Sequence, residues 1–332
     1  MLTLFSPESR PPLLPDVRGW TRLAYRMRSS IGARRMLRLG RTLRANFMEA
    51  EPEAVEAMRS TTRYRGGYVL KPSTAASTSR RVGLLFFPGA LVHEAAYAPI
   101  LQSVADASGA TVVCVRMPVR HPLAVQRFRL RKLRQRVERQ SRIDAWVVGG
   151  HSMGAGRFGA AGYASRQHAA LEGARETMRT PLSRVLLAPR SLNGLLLAPS
   201  GSRPRAPTST PATASPRLEG LVMWAGALDG RTDLSGAHGL RCLAVFGTRD
   251  TVVPPAGRSE GGVRVRETRR LLPRRSRRWL ELRGANHAGF GHYGRQSFPL
   301  ADGEPRIPRE RQQARVVEST ARLLREVASA SS

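Results

Sequence analysis

Residues 149–154 read Gly-Gly-His-Ser-Met-Gly. They set one serine, Ser152, in a G-x-S-x-G frame straight after the apolar run Ala145-Trp146-Val147-Val148. Glycines at both frame positions permit a turn tight enough to lift a serine hydroxyl above the rim of a sheet, where it can act as a nucleophile. In a chain with 31 glycines the frame alone is weak, since an ordinary turn serine would look the same. Chemistry requires in addition a base to take the hydroxyl proton and an acid to orient that base. Asp250, in CLAVFGTRD, and His287, in WLELRGANH, follow in the order Ser, Asp, His, each just past a strand-like run. Taken singly, Asp250 could be a turn residue and His287 a loop histidine bonded to backbone. Taken together, after the right elements and in the right order, they support one another. His292, five residues on, is the rival base, and Asp229 and Asp233 are the fallback acids. His151 is read as packing beside the serine, whereas His93, His121, His168 and His238 lie in segments that the strand order does not bring to the site.

A hydrolytic serine also needs two fixed N–H donors facing the negative charge that develops on the attacked carbonyl. One is expected from Met153, directly after the nucleophile and at the amino end of a helix opened by Gly154. The second is expected from the loop after GLLFF, where Pro88-Gly89 lets the backbone turn without a side chain in the way. Ala90 is the expected donor there and Gly89 the alternate; the bland reading of Pro-Gly is a plain turn.

These residues need a scaffold that brings distant loops to one rim. Strand-like runs recur at 67–70, 82–87, 111–115, 146–149, 221–224, 242–246 and 278–282, with helix-sized segments between them. Several are continuous Val/Leu/Phe runs without alternation, the mark of strands covered on both faces. The pattern specifies an α/β fold, a doubly wound and mostly parallel sheet. Residues 94–107 carry Tyr97, Ile100, Leu101 and Val104 at amphipathic-helix spacing. Residues 123–140 form a strongly basic helix around a thin stripe of Phe128, Leu130, Leu133 and Val137, either a solvated face or a grip for an anionic partner. An insertion at 172–217 breaks the rhythm: its apolar pieces could cap a site or pack loosely. Its Pro/Ser/Thr/Ala-rich part, about 200–216, is expected to be mobile. The domain is expected over 62–330, with 1–61 as an extension.

Composition narrows the class. The chain has 332 residues, 55 basic against 24 acidic, and a formal charge of +31 carried almost wholly by arginine. Such a charge could hold nucleic acid or an anionic membrane surface. The arginines are scattered along the whole chain and not interleaved with stacking aromatics, so a GC-rich codon bias is the favoured origin. Between Val17 and Met48 nine arginines occur without an acid, which suggests either a plastid or mitochondrial transit peptide or, on a cytoplasmic protein, a basic helical extension lying on the domain surface or on a membrane. Cys114 and Cys242 sit inside strand runs as buried hydrophobes, with no disulfide or metal-ligand spacing. No apolar stretch is long enough to cross a bilayer as a helix.

The motifs GLLFFPGALVHEAAYAPIL, VVCVRMP, WVVGGHSMGA, GLVMWAGALDGRTDLS, CLAVFGTRDTVVP and GANHAGFGHYG, falling in order between about Tyr64 and Leu324, resemble the alpha/beta-hydrolase superfamily, and most of all its small dienelactone-hydrolase-like members. The resemblance implies Ser152 as nucleophile, Asp250 as acid, His287 as base and residues 87–90 as the oxyanion loop. It implies a small acyl or ester substrate and no metal or organic cofactor. The chain has Gly289 and His292 where that branch usually carries a glutamine and an aspartate, and serine in place of the dienelactone hydrolases' cysteine, so a dienelactone substrate does not follow. Against an enzyme stands a non-catalytic hydrolase-fold protein that binds nucleic acid or acidic lipid through its arginines.

Overall fold

The structure, a computed structural model, describes residues 45–74, 80–125, 127–179, 216–257 and 265–330. Most of the arginine-rich 17–48 segment and most of the 172–217 insertion, with its Pro/Ser/Thr tract, lie outside these residues.

A short hairpin opens the sheet, β1 (Thr62–Tyr64) and β2 (Gly67–Leu70), paired antiparallel. Six further strands follow: β3 (Val82–Phe87), β4 (Thr111–Val115), β5 (Ala145–His151), β6 (Arg217–Trp224), β7 (Arg241–Gly247) and β8 (Arg277–Leu282). The order across the sheet is β1-β2-β4-β3-β5-β6-β7-β8, and every pairing from β4 to β8 is parallel. The carboxyl ends of β3, β5 and β7 therefore share one rim. All six β3 residues and all seven β5 residues are buried, as expected of strands covered on both sides.

Alternation along each strand sends successive side chains to opposite faces. On one face Leu84, Phe86, Val147 and Trp224 pack with α2 (Ala98–Ser108) and α5 (Arg309–Ser329). On the other Leu85, Phe87, Trp146 and Val148 pack with α3 (Arg127–Ser141) and α4 (Ala160–Arg179). Ahead of the sheet, α1 (Pro52–Arg59) lies against the domain with Ala54 fully buried, and Met48 bridges to Val92. The latter part of the expected 1–61 extension is thus joined to the body of the domain.

Three helical details differ from expectation. Residues 94–97 form a 3-10 turn, and the α-helix begins only at Ala98. Pro99 is the cause: it has no N–H for an α-helical bond and its ring crowds the preceding turn, so a helix can start there but not run through. In α3 the buried stripe is Leu130, Leu133 and Val137, while Phe128 is 54% exposed because it points off that stripe. The helix expected from Gly154 begins at Ala160, after a 3-10 turn at Ser152–Gly154. Among the described residues no helix is long and apolar enough to cross a membrane.

Candidate active site

The serine turn is built by close packing. A Cβ on Gly150 would run into the Gly154 carbonyl, and one on Gly154 would run into the carbonyls of Phe87 and Pro88. Both glycines are required because the turn is pressed against itself and against the end of β3. Ser152 follows the last residue of β5 with φ +53°, a left-handed conformation that costs a non-glycine residue roughly 1–2 kcal/mol. That strain is kept where the side chain must face out from the rim.

Asp250 lies just past β7, 2% exposed. Its Oδ1 accepts the N–H groups of Val252 (2.9 Å) and Val253 (2.7 Å). Its Oδ2 accepts from His287 Nδ1 at 2.8 Å. With Nδ1 donating to a carboxylate, the imidazole is held in the tautomer whose Nε2 carries the lone pair, the one a general base needs. His287 itself is 1% exposed, on the loop after β8.

That loop is clamped from α5 and from the chain ahead of it. Gln312 Oε1 accepts the Asn286 N–H at 3.1 Å while its Nε2 donates to the Asn286 carbonyl at 2.9 Å. Asp302 accepts the Ala288 N–H at 2.7 Å, and burial raises the Asp302 carboxyl's pKa. The backbone on both sides of His287 is therefore pinned.

His151, the residue before Ser152 in the chain, lies against this pair. The His151 ring stands 4.5 Å from the His287 ring, centroid to centroid, and stacks on Phe290. Tyr97 Oη lies 2.8 Å from His151 Nδ1 and accepts the Gly89 N–H at 3.0 Å. Burial, and then the nearby His287, push the His151 pKa well below the ordinary range, so this ring is neutral. The network also sorts the loop amides: Gly89 N–H is taken by Tyr97 and Leu91 N–H by the Arg120 carbonyl, and Ala90 N–H is bonded to neither.

The rival residues lie elsewhere. His292 faces the surface cluster beside α1, with Nδ1 2.6 Å from Glu53 Oε1 and Nε2 3.0 Å from Gln313 Oε1. Glu51, Glu53 and His292 could converge on a cation, but Arg309 already donates to both carboxylates. Asp229 pairs with Arg157 at 3.3 Å, and Asp233 accepts the Ser235 N–H, which lowers its pKa. Sequence reasoning missed Tyr97, Asn286, Asp302 and Gln312. Tyr97 carried a signal, a hydroxyl on the buried stripe of a segment facing the Pro-Gly loop; the other three carried none.

A family model described as Alpha/beta hydrolase family matches residues 83–175 and 205–314. No curated protein matches the sequence. Among solved structures, the chain is similar to an alpha-beta serine hydrolase homologue from Coxiella burnetii, at 13% identity and TM-score 0.44, over 80% of this chain and 98% of that one. It is also similar to a thermophilic esterase, Est2, from Thermogutta terrifontis, at 12% identity and TM-score 0.41, over 78% of this chain and 86% of that one.

Proposed function

We propose, from the premise that the chain belongs to the alpha/beta hydrolase family, that it is a serine hydrolase cleaving a carboxylic ester or related acyl compound. The observation that carries the reading is the 2.8 Å bond between buried His287 and buried Asp250, on the rim where β5 ends in the strained Ser152 turn. His287 Nε2 takes the Ser152 hydroxyl proton as Oγ attacks the acyl carbon. The oxyanion so formed is held by the N–H groups of Met153 and Ala90. As the tetrahedral adduct collapses, the carbon–oxygen bond to the leaving group breaks and His287 returns the proton to that oxygen. A water deprotonated by His287 then attacks the acyl-enzyme and releases the acid and free Ser152. Asp250 keeps the ring in its tautomer and stabilises the transient imidazolium.

Labelling with a fluorophosphonate probe tests this directly, since the probe forms a stable bond only with an activated serine. Wild type is expected to label and Ser152→Ala to remain blank. Failure of wild type to label, or equal labelling of the variant, would refute the reading.

A further inference from the structure

Beside the serine turn, a cleft of about 880 Å³ lies between the first two turns of α3 and those of α4. Six arginines line it: Arg127, Arg131, Arg134, Arg157, Arg166 and Arg231. No aspartate or glutamate is among its lining residues. Two of the six are answered from behind the wall, Arg134 by Glu138 at 2.9 Å and Arg157 by Asp229 at 3.3 Å. Arg127, Arg131, Arg166 and Arg231 have no carboxylate at ion-pair distance among the described residues, and all four are exposed to solvent. Partial desolvation, followed by the charge of Arg127, lowers the Arg166 pKa, as expected of guanidinium groups gathered without a counter-charge.

The surroundings favour an anion further. Helices α3 and α4 follow β4 and β5, so their positive amino ends sit at the same rim as Ser152. Ser152, Asp250 and His287 do not line the cleft; it approaches the serine turn through Phe87, which precedes the Pro88-Gly89 loop, and through Arg157 and Phe158 of the glycine-rich run after Ser152. Phe87, Leu130, Phe158 and Tyr163 give it an apolar floor beneath the cationic groups. An apolar floor suits a carbon chain. A single carboxylate would offset only one of four unanswered charges, whereas a phosphate group offers two charges and three oxygens to planar guanidinium donors.

We propose that this cleft binds the phosphate group of a phosphate-bearing ester or thioester whose acyl carbon reacts at Ser152. The link to turnover rests on the serine-hydrolase reading, while phosphate binding stands on the cleft alone.

The test begins with calorimetric titration of the full chain with inorganic pyrophosphate at near-physiological salt. Wild type is compared with Arg131→Gln/Arg166→Gln and with a charge-matched control, Arg274→Gln/Arg275→Gln, on the exposed turn before β8. The cleft variant is expected to bind about tenfold or more weakly, and the control like wild type. A thermal melt reports whether the cleft variant is folded, and Arg231→Gln gives the same comparison by an independent route. If wild type does not bind pyrophosphate, or if cleft variant and control lose affinity alike, the cleft is no phosphate site and its arginines act only as general charge. Substrate class is tested by kcat/KM for S-acetyl-4′-phosphopantetheine over S-acetylpantetheine, two thioesters that differ by one phosphate. Wild type should prefer the phosphorylated one, and the cleft variant should lose the preference; equal rates with wild type would overturn the substrate assignment. An unlabelled Ser152 would sink the hydrolase reading while leaving the pyrophosphate result to stand.

Discussion

At the scale of single residues, the arrangement around His287 separates groups that act from groups that hold. Asp250→Asn keeps shape but reverses hydrogen-bonding polarity, so the ring would turn to the wrong tautomer. Its kcat on p-nitrophenyl acetate is expected to fall about 10³–10⁴-fold with KM little changed, while His292→Ala leaves both near wild type. A large loss in His292→Ala beside near-wild-type activity in Asp250→Asn would transfer the base to His292. Asp250 and His287 could be paired from sequence because each follows a strand and parallel strands deliver their ends to one rim. Tyr97 could not be found this way. Its spacing marks it as core, and core it is, fully buried, and the one signal of a further role was a hydroxyl on that stripe, which joins Gly89 to His151 through a contact between turns. Asp302 and Gln312 carried no signal, since each meets the His287 loop from another part of the chain.

At the scale of elements, strands were more legible than helix starts. Unbroken apolar runs announce strands covered on both faces, and all seven runs noted in the sequence are strands of the sheet. The short β1, exposed at two of its three positions, has no such run. Helix starts depend on proline and on close contacts, and Gly154 shows the difference. It looks like the first residue of a helix, yet it is glycine because the end of β3 presses against it. Gly154→Ala is accordingly expected to cost about 1–3 kcal/mol or more. Differential scanning calorimetry should show Tm lower by roughly 5 °C, with loss of fluorophosphonate labelling in the fraction still folded. An unchanged Tm would mean the β3–serine-turn contact is looser than described.

At the scale of the whole molecule, stability is coupled to acidity through neutral histidines, His151 fully buried and His121 partly so. His151 is held far below its ordinary pKa, and His121 is pushed down to about 4 by burial. Below about pH 6.5 the unfolded chain binds protons at both rings that the folded chain refuses, so stability is full above that pH and declines as pH falls. Each ring contributes up to ~1.4 kcal/mol per pH unit. Urea unfolding at about pH 7.5 and about pH 5 should show this decline, and His151→Gln should make it shallower; an identical slope would place that ring in contact with water. The net charge of +31 was plain in the sequence, but which of its arginines gather around one cleft depends on how α3 and α4 pack. The left-handed backbone at Ser152 carries a last consequence. Ser152→Ala and Ser152→Gly both remove the hydroxyl, yet alanine inherits the awkward torsion and glycine does not. The glycine enzyme should outlast the alanine one on heating, by about 1 kcal/mol. The catalytic turn would then be a place where natural selection has kept the chain less durable than it could be.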